Sequence, residues 1–277
     1  MHYEYLQLPE SLAQKLNWEN KSDYKGVISR YRLIRSYFKD YSPDRVINIG
    51  GNCGYFSLSL LDEGLIEEAV IYDIKPEILN IGRKMAEAMG LENRIEFIEK
   101  SVDLASLDDL PVAEGLIYQN VLHHAGDYFD EEQVKEIGWE AYAQKFLKKL
   151  RGKFQYGVLG MGFKWNKPWY WDVDKKERRN IFYELLKEAG WQVVSDVNVY
   201  SLIHHEGSFD YRQFEPEEVL LSEKSELANF WDLISFNIIK QICIWLGSKT
   251  KKLKNMIPGI SGRAKEVARM YHLYLLE

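Results

Sequence analysis

The chain has 277 residues, 46% hydrophobic and 28% charged, which suits an ordered globular protein: one large domain, or one domain carrying an insertion. A formal net charge of −6 argues against a surface built throughout to hold nucleic acid, although residues 249–269 gather seven Lys/Arg against one acid, Glu266. Cys53 and Cys243, with no CxxC spacing, exclude a disulfide framework and a cysteine zinc site and fit a reducing cytoplasm. The first residues lack a basic region followed by an apolar one, and no uncharged apolar run of about 18 residues occurs. Neither a signal peptide nor a membrane-spanning helix is expected.

Residues 22–40 place Val27, Tyr31, Ile34 and Phe38 at helical spacing, so an amphipathic helix is expected before the break at "YSPDR". Short apolar runs then alternate with helical patterns. "RVINIG" reads as a strand, "YFSLSLLDEG" as a helix stopped by Gly64, "EAVIYDI" as a strand, and "KPEILNIGRKMAEAMG" as a helix from Pro76 to Gly90. "RIEFIE" and "GLIYQN" are two further strands, 131–150 one long helix, and "KFQYGVLGMGF" a fifth strand. "KKERRNIFYELLKEAG" is a helix closed by Gly190 and "WQVVSDVNVY" a strand, while 203–267 reads as a helical insertion. The closing "RMYHLYLLE" (269–277) fits the last sheet strand, with a helix as the alternative. Strands alternating with helices of this length imply βαβ units, a mainly parallel sheet and helices on both faces.

In such sheets a ligand sits beyond the carboxyl ends of the strands. There the chain places "INIGGNCGYFS", whose glycines let backbone approach a ligand, and about 20 residues later a strand ends in Asp73, suited to both hydroxyls of a ribose. A tight turn and a helix cap are the plainer readings of the two features. The dinucleotide pattern GxGxxG fails at Asn52 and Tyr55, disfavouring a nicotinamide oxidoreductase, and no Gly-Lys-Ser/Thr completes a phosphate loop.

The order of motifs resembles the class I S-adenosylmethionine-dependent methyltransferases over roughly residues 43–200: "VINIGGNCG", "IYDIKPEIL", "NRIEFIEKSVDL", "LIYQNVLHH", "FLKKLRGKFQYGVLGMG" and "LLKEAGWQVV" follow in sequence. The resemblance implies a Rossmann-like α/β fold with a seven-stranded, mostly parallel sheet and helices on both faces. Around this core (43–202) the residue patterns place an N-terminal helical cap or lid (1–42), the helical elaboration (203–267) and a candidate last strand (268–277). By position, Asn48, Gly50, Gly51, Asn52, Gly54 and Tyr55 would lie along the methionine and ribose of S-adenosylmethionine, with Asp73 on the ribose and Ile74 against the adenine. Ser101, Val102 and Asp103 would meet the adenine amino group, and Gln119 and Asn120 the methionine end. The family usually has Asp or Glu where Asn48 stands, to hold the cofactor's ammonium, which an amide does less strongly.

Methyl transfer to a hydroxyl makes a general base useful, and the candidates are His123 and His124; a structural turn is their alternative reading. For the acceptor, Trp165, Trp169 and Trp171 in an aromatic loop, Tyr24, Arg30 and Tyr31 on the first helix, and His204 and His205 after the sixth strand are candidates. S-adenosylhomocysteine would be the product and no metal is expected. The expected partner is a small-molecule or glycan acceptor, methylated at oxygen; an RNA methyltransferase, or a weakly active cofactor-binding partner subunit, is the alternative. The apolar-to-basic stretch 230–269 can lie on an anionic membrane, form a homodimer interface or cover its own core.

Overall fold

The inner strands of the central sheet alternate their side chains between two apolar layers, and that alternation sets the architecture. A computed structural model of the chain describes residues 7–17, 27–162, 175–194, 200–205, 208–213 and 271–277. The elements in order are α1 (Glu10–Lys15), α2 (Val27–Tyr41), β1 (Arg45–Ile49), α3 (Tyr55–Asp62), β2 (Glu68–Asp73), α4 (Pro76–Met89), β3 (Ile95–Glu99) and β4 (Gly115–Gln119). There follow α5 (Glu131–Ile137), α6 (Trp139–Lys153), β5 (Tyr156–Gly162), α7 (Lys175–Glu188), β6 (Tyr200–His205), β7 (Ser208–Gln213) and β8 (Tyr271–Leu276).

The main sheet has the order β3-β2-β1-β4-β5-β8, with β1 to β5 parallel and β8 antiparallel to β5. Among the described residues this is six strands rather than the expected seven. Where the missing strand was expected, Val193 forms a single antiparallel bridge to Leu276, the backbones of Gln192 and Glu277 exchange two hydrogen bonds, and residues 195–199 lie outside the described ones. The closing segment is a strand, as the preferred reading had it, running from Gly157↔Leu276 to Gly162↔Tyr271.

Ile47 and Ile49 of β1, Val70 and Tyr72 of β2, and Leu116 and Tyr118 of β4 face one layer, packed with Tyr142, Phe146 and Leu150 of α6 and Phe182 of α7. Val46, Ile71 and Ile117 face the other, with Ile34 and Phe38 of α2, Leu58 of α3 and Leu79 of α4. Ile34 and Phe38 are fully buried; burying an aliphatic or aromatic side chain of this size contributes about 1.5–3 kcal/mol. Helix α2 is therefore seated on the sheet along its apolar face. Helix α1, which the sequence reading did not mark, buries Leu12 and Ala13 in the same layer, and Lys15 Nζ donates to the Ala88 carbonyl at 2.7 Å.

Two further expectations are corrected. The single helix over 131–150 is two, because Gly138 takes φ +81° and ψ 155°, ending α5 and starting α6. The insertion does not begin as a helix: β6 and β7 form an antiparallel hairpin with His204↔Phe209 and His205↔Ser208 in register. His204 and His205 thus lie in a strand, not in a loop. Residues 214–270, with the apolar-to-basic stretch, lie outside the described residues.

Candidate active site

The chain reverses its order across the sheet between β1 and β4, so the carboxyl ends of these strands splay around an open crevice. A cleft of about 340 Å³ lies there. The ends of β3 and β2 bring Ser101, Val102, Asp73 and Ile74 to one side; Gly50 and Asn52 after β1 form the middle; Gln119, Asn120 and Val121 after β4 form the far side.

Asp73 is the best-defined group. Its Oδ2 accepts from the Asn52 amide at 2.9 Å and its Oδ1 from the Lys75 amide at 3.1 Å. One hydrogen bond to each oxygen fixes the carboxylate and leaves acceptor capacity on both. Asn52 N–H is available for this because Asn52 sits at φ +56°, a left-handed conformation that Asn tolerates, while its own Oδ1 accepts from the Cys53 amide at 2.8 Å. Exposed Ile74 and buried Val102 stand on the same side and offer apolar faces to a flat ring.

The glycines act differently from the expectation that they clear room for a ligand. A Cβ on Gly50 (φ +68°) would stand 2.3 Å from Val121 Cγ2, and one on Gly51 2.7 Å from Ile71 Cγ2 and 2.9 Å from Asn48 Cγ. At Gly54 (φ +77°) it would meet Phe97 at 3.1 Å. What these positions require is close packing of the turn onto β2, Val121 and the Phe97 ring, with left-handed backbone at Gly50 and Gly54. Gly51 and Gly54 are not on the cleft wall.

Asn48 is not on it either. It is 2% exposed, faces the layer of α3, and donates from Nδ2 to Ser57 Oγ at 3.1 Å beneath Gly51. Tyr55 opens α3 and turns towards α2, edge-on to Tyr31 at 5.8 Å. Asp103 folds back on its own turn: its Oδ1 accepts from Ser106 Oγ at 2.6 Å and Ser106 N at 2.8 Å. Burial pushes its pKa up, but those hydrogen bonds outweigh it and hold the carboxyl below its ordinary value. Of the proposed cofactor contacts, Gly50, Asn52, Asp73, Ile74, Ser101, Val102, Gln119 and Asn120 share the cleft, and Asn48, Gly51, Gly54, Tyr55 and Asp103 support its walls.

The histidine pair divides. His124 lines the cleft, half-buried, and burial lowers its pKa against an opposing pull from Asp127. His123 is buried off the cleft wall, and burial, then repulsion from His124, lowers it to about 3. Tyr128 lies edge-on to His124 at 5.0 Å and is 66% exposed at the cleft. Sequence reading marked neither Tyr128, Phe129, Tyr72, Val121, Ile49, Lys75 nor Lys100, all of which line the cleft. The turn that places Tyr128 and Phe129 is wound tightly, with Tyr128 N donating to His124 O and Gly126 N to Phe129 O; "AGDYFD" carried the turn signal.

Of the acceptor candidates, Arg30 reaches the cleft side through Gln119, while Tyr31 donates to Glu63 and packs in the core. Tyr24, Trp165, Trp169 and Trp171 lie outside the described residues, and His204 and His205 are placed only by their backbone. Among the described residues no group of three or more His, Cys, Asp or Glu is placed to hold a metal, and no helix is long and apolar enough to cross a membrane.

The sheet order, the antiparallel closing strand and a cleft at the carboxyl edge with an acid at the end of the second strand define a Rossmann-like α/β fold. No family model and no curated protein matches the chain. Solved structures that resemble it include WbdD, at 22% identity and a TM-score of 0.48 over 66% of this chain and 38% of that one. The methyltransferase domain of bacterial CtHen1 resembles it at 15% identity and a TM-score of 0.44, over 68% of this chain and 92% of that one. A Nostoc punctiforme protein described as a candidate O-methyltransferase follows at 15% identity and 0.43, over 66% of this chain and 54% of that one. The chain thus spans 38% of WbdD and 54% of the Nostoc protein. Likeness at these identities concerns the fold alone.

Proposed function

We propose that the chain is an S-adenosylmethionine-dependent methyltransferase acting at oxygen on a small-molecule or glycan acceptor. The observation that carries the reading is Asp73, held by two backbone amides at the nucleoside side of a cleft whose far side ends in two side-chain amides. The residues fit the cofactor's polarity: Asp73 would take the two ribose hydroxyls, Ile74 and Val102 the adenine faces, and Gln119 and Asn120 the amino-acid end. Gln119 Nε2 and Asn120 Oδ1 are buried with no hydrogen-bond partner among the described residues, one donor and one acceptor, as a carboxylate and an ammonium require.

When bound, the cofactor supplies a methyl group on a positively charged sulfur that departs as a neutral thioether. The chain's own task is then to hold the acceptor in line and take one proton. Burial lowers the His124 pKa and so favours its neutral imidazole, which can accept the hydroxyl proton as the oxygen–carbon bond forms. The exposed Tyr128 ring beside it suits stacking on a sugar face. The weakly active alternative drew on Asn48, and a buried Asn48 bonded to Ser57 speaks neither for nor against cofactor affinity.

Calorimetry with S-adenosylmethionine, S-adenosylhomocysteine and NAD tests the proposal. Binding of the two sulfur compounds and not NAD is expected. If neither sulfur compound binds at millimolar concentration, the proposal fails.

A further inference from the structure

Arg30 stands on α2, outside the strand-and-turn frame of the cleft, yet its Nη1 donates to Gln119 Oε1 at 3.0 Å. The guanidinium is held in place from below, with its central carbon 5.6 Å from the centre of the Phe56 ring. Arginine has donors and no acceptor, so Gln119 must present its oxygen to Arg30 and turn its nitrogen away. Gln119 lines the far side of the cleft, and the Nε2 so directed is buried with no partner among the described residues. An amide left to itself can present either end; this one cannot.

We infer that Arg30 is a positioning residue that locks the Gln119 amide with its N–H donor towards the ligand's amino-acid end, so that the cleft selects ligands ending in a carboxylate. The inference rests on the methyltransferase reading for what the ligand is. Sheet order supplies the direction: the nucleoside side is at β2 and β3, and Gln119 ends β4 on the opposite side of β1. A carboxylate at that end can accept from Nε2, whereas a cationic group cannot use that donor, so the fixed orientation favours an anion. Helix α2 thereby contributes to recognition without touching the ligand.

The test compares two ligands on the full chain by calorimetry: S-adenosylhomocysteine, which carries the amino-acid end, and 5′-methylthioadenosine, which lacks it. Arg30→Gln is expected to weaken S-adenosylhomocysteine about tenfold, as for loss of a hydrogen bond to a charged group, and to leave 5′-methylthioadenosine unchanged. Gln119→Glu keeps an acceptor for Arg30 while removing the donor, so it should show the same selective loss with no loss of folding. Equal weakening of both ligands by Arg30→Gln, or full S-adenosylhomocysteine affinity in Gln119→Glu, overturns the inference while the methyltransferase reading stands. Wild-type protein that binds neither ligand sinks both.

Discussion

Asn48 Nδ2 donates to Ser57 Oγ at 3.1 Å and so ties β1 to the first turn of α3 beneath the glycine turn. The pair is buried, with Asn48 2% exposed and Ser57 fully covered. A neutral amide suits a place with so little water, because an ionised carboxylate would lose its hydration for one hydroxyl donor.

Asn48→Asp is therefore expected to destabilise the fold by about 2 kcal/mol or more at neutral pH, and not to tighten cofactor binding. Burial would raise the folded pKa of this new carboxyl above its unfolded value. The penalty is then fully present above the folded pKa and shrinks as pH falls towards the unfolded value. Urea midpoints at pH 8 and pH 5 check it: the gap to wild type should be larger at pH 8. A variant as stable as wild type at pH 8, with tighter S-adenosylhomocysteine binding, would show that the side chain meets the ligand after all.

Asp73 gives a second prediction. Its two backbone hydrogen bonds orient both oxygens, so Asp73→Ala removes two aligned acceptors at once and Asp73→Asn removes one. With hydrogen bonds to a charged group contributing about 1.5–3 kcal/mol each, the alanine variant should bind S-adenosylhomocysteine at least about a hundredfold more weakly. The asparagine variant should fall between. Calorimetric dissociation constants decide this, and unchanged affinity in Asp73→Ala removes the ribose assignment.

The alternation of strands and helices was readable because Pro76, Gly64, Gly90 and Gly190 punctuate it, and each apolar run is short enough to be a buried strand. Gly138 carried the same kind of signal and was passed over, since the apolar spacing runs on through it; its positive φ shows that backbone conformation outweighed periodicity. The meeting of Asp73 with the Asn52 turn was legible as well, because both lie at strand ends that the fold class brings together. Tyr72, Val121, Tyr128 and Phe129 were not, because they converge only through the register of β2 with β1 and the tight turn after His124. Asn48 was misplaced for a simpler reason: a strand end offers two faces, and motif position does not say which one a side chain takes. Its alternation with Ile47 and Ile49, both in the opposite apolar layer, carried the information.

His123 makes the stability pH-dependent in a defined direction. Burial first, and repulsion from His124 second, lower its pKa from 6.5 to about 3. The unfolded chain thus binds a proton that the folded chain refuses between those values. Stability rises with pH through this window and is lost on acidification from about pH 6.5, with a slope approaching 1.4 kcal/mol per pH unit for this group alone. His123→Gln should flatten the acid limb by about one proton, measured as urea midpoints between pH 7 and pH 4. An unaltered limb would place the acid sensitivity elsewhere.

The contact between Tyr128 and His124 gives the last prediction. Burial is the main cause of the lowered His124 pKa, and the Tyr128 ring, edge-on at 5.0 Å, is part of the cover. Because Tyr128 is 66% exposed, removing its ring should change stability by no more than about 0.5 kcal/mol. It should, however, admit water to the imidazole. Tyr128→Ala is expected to move the His124 pKa up towards 6.5, and Tyr128→Phe, which keeps the ring, to leave it in place. A proton–carbon NMR titration of the imidazole resonances reads both variants. The upward shift would leave His124 partly protonated near neutral pH and less able to accept a hydroxyl proton, so methyl transfer in Tyr128→Ala should recover with rising pH. If the two variants titrate alike, the ring does not shield His124, and the lowered pKa belongs to the floor of the cleft instead.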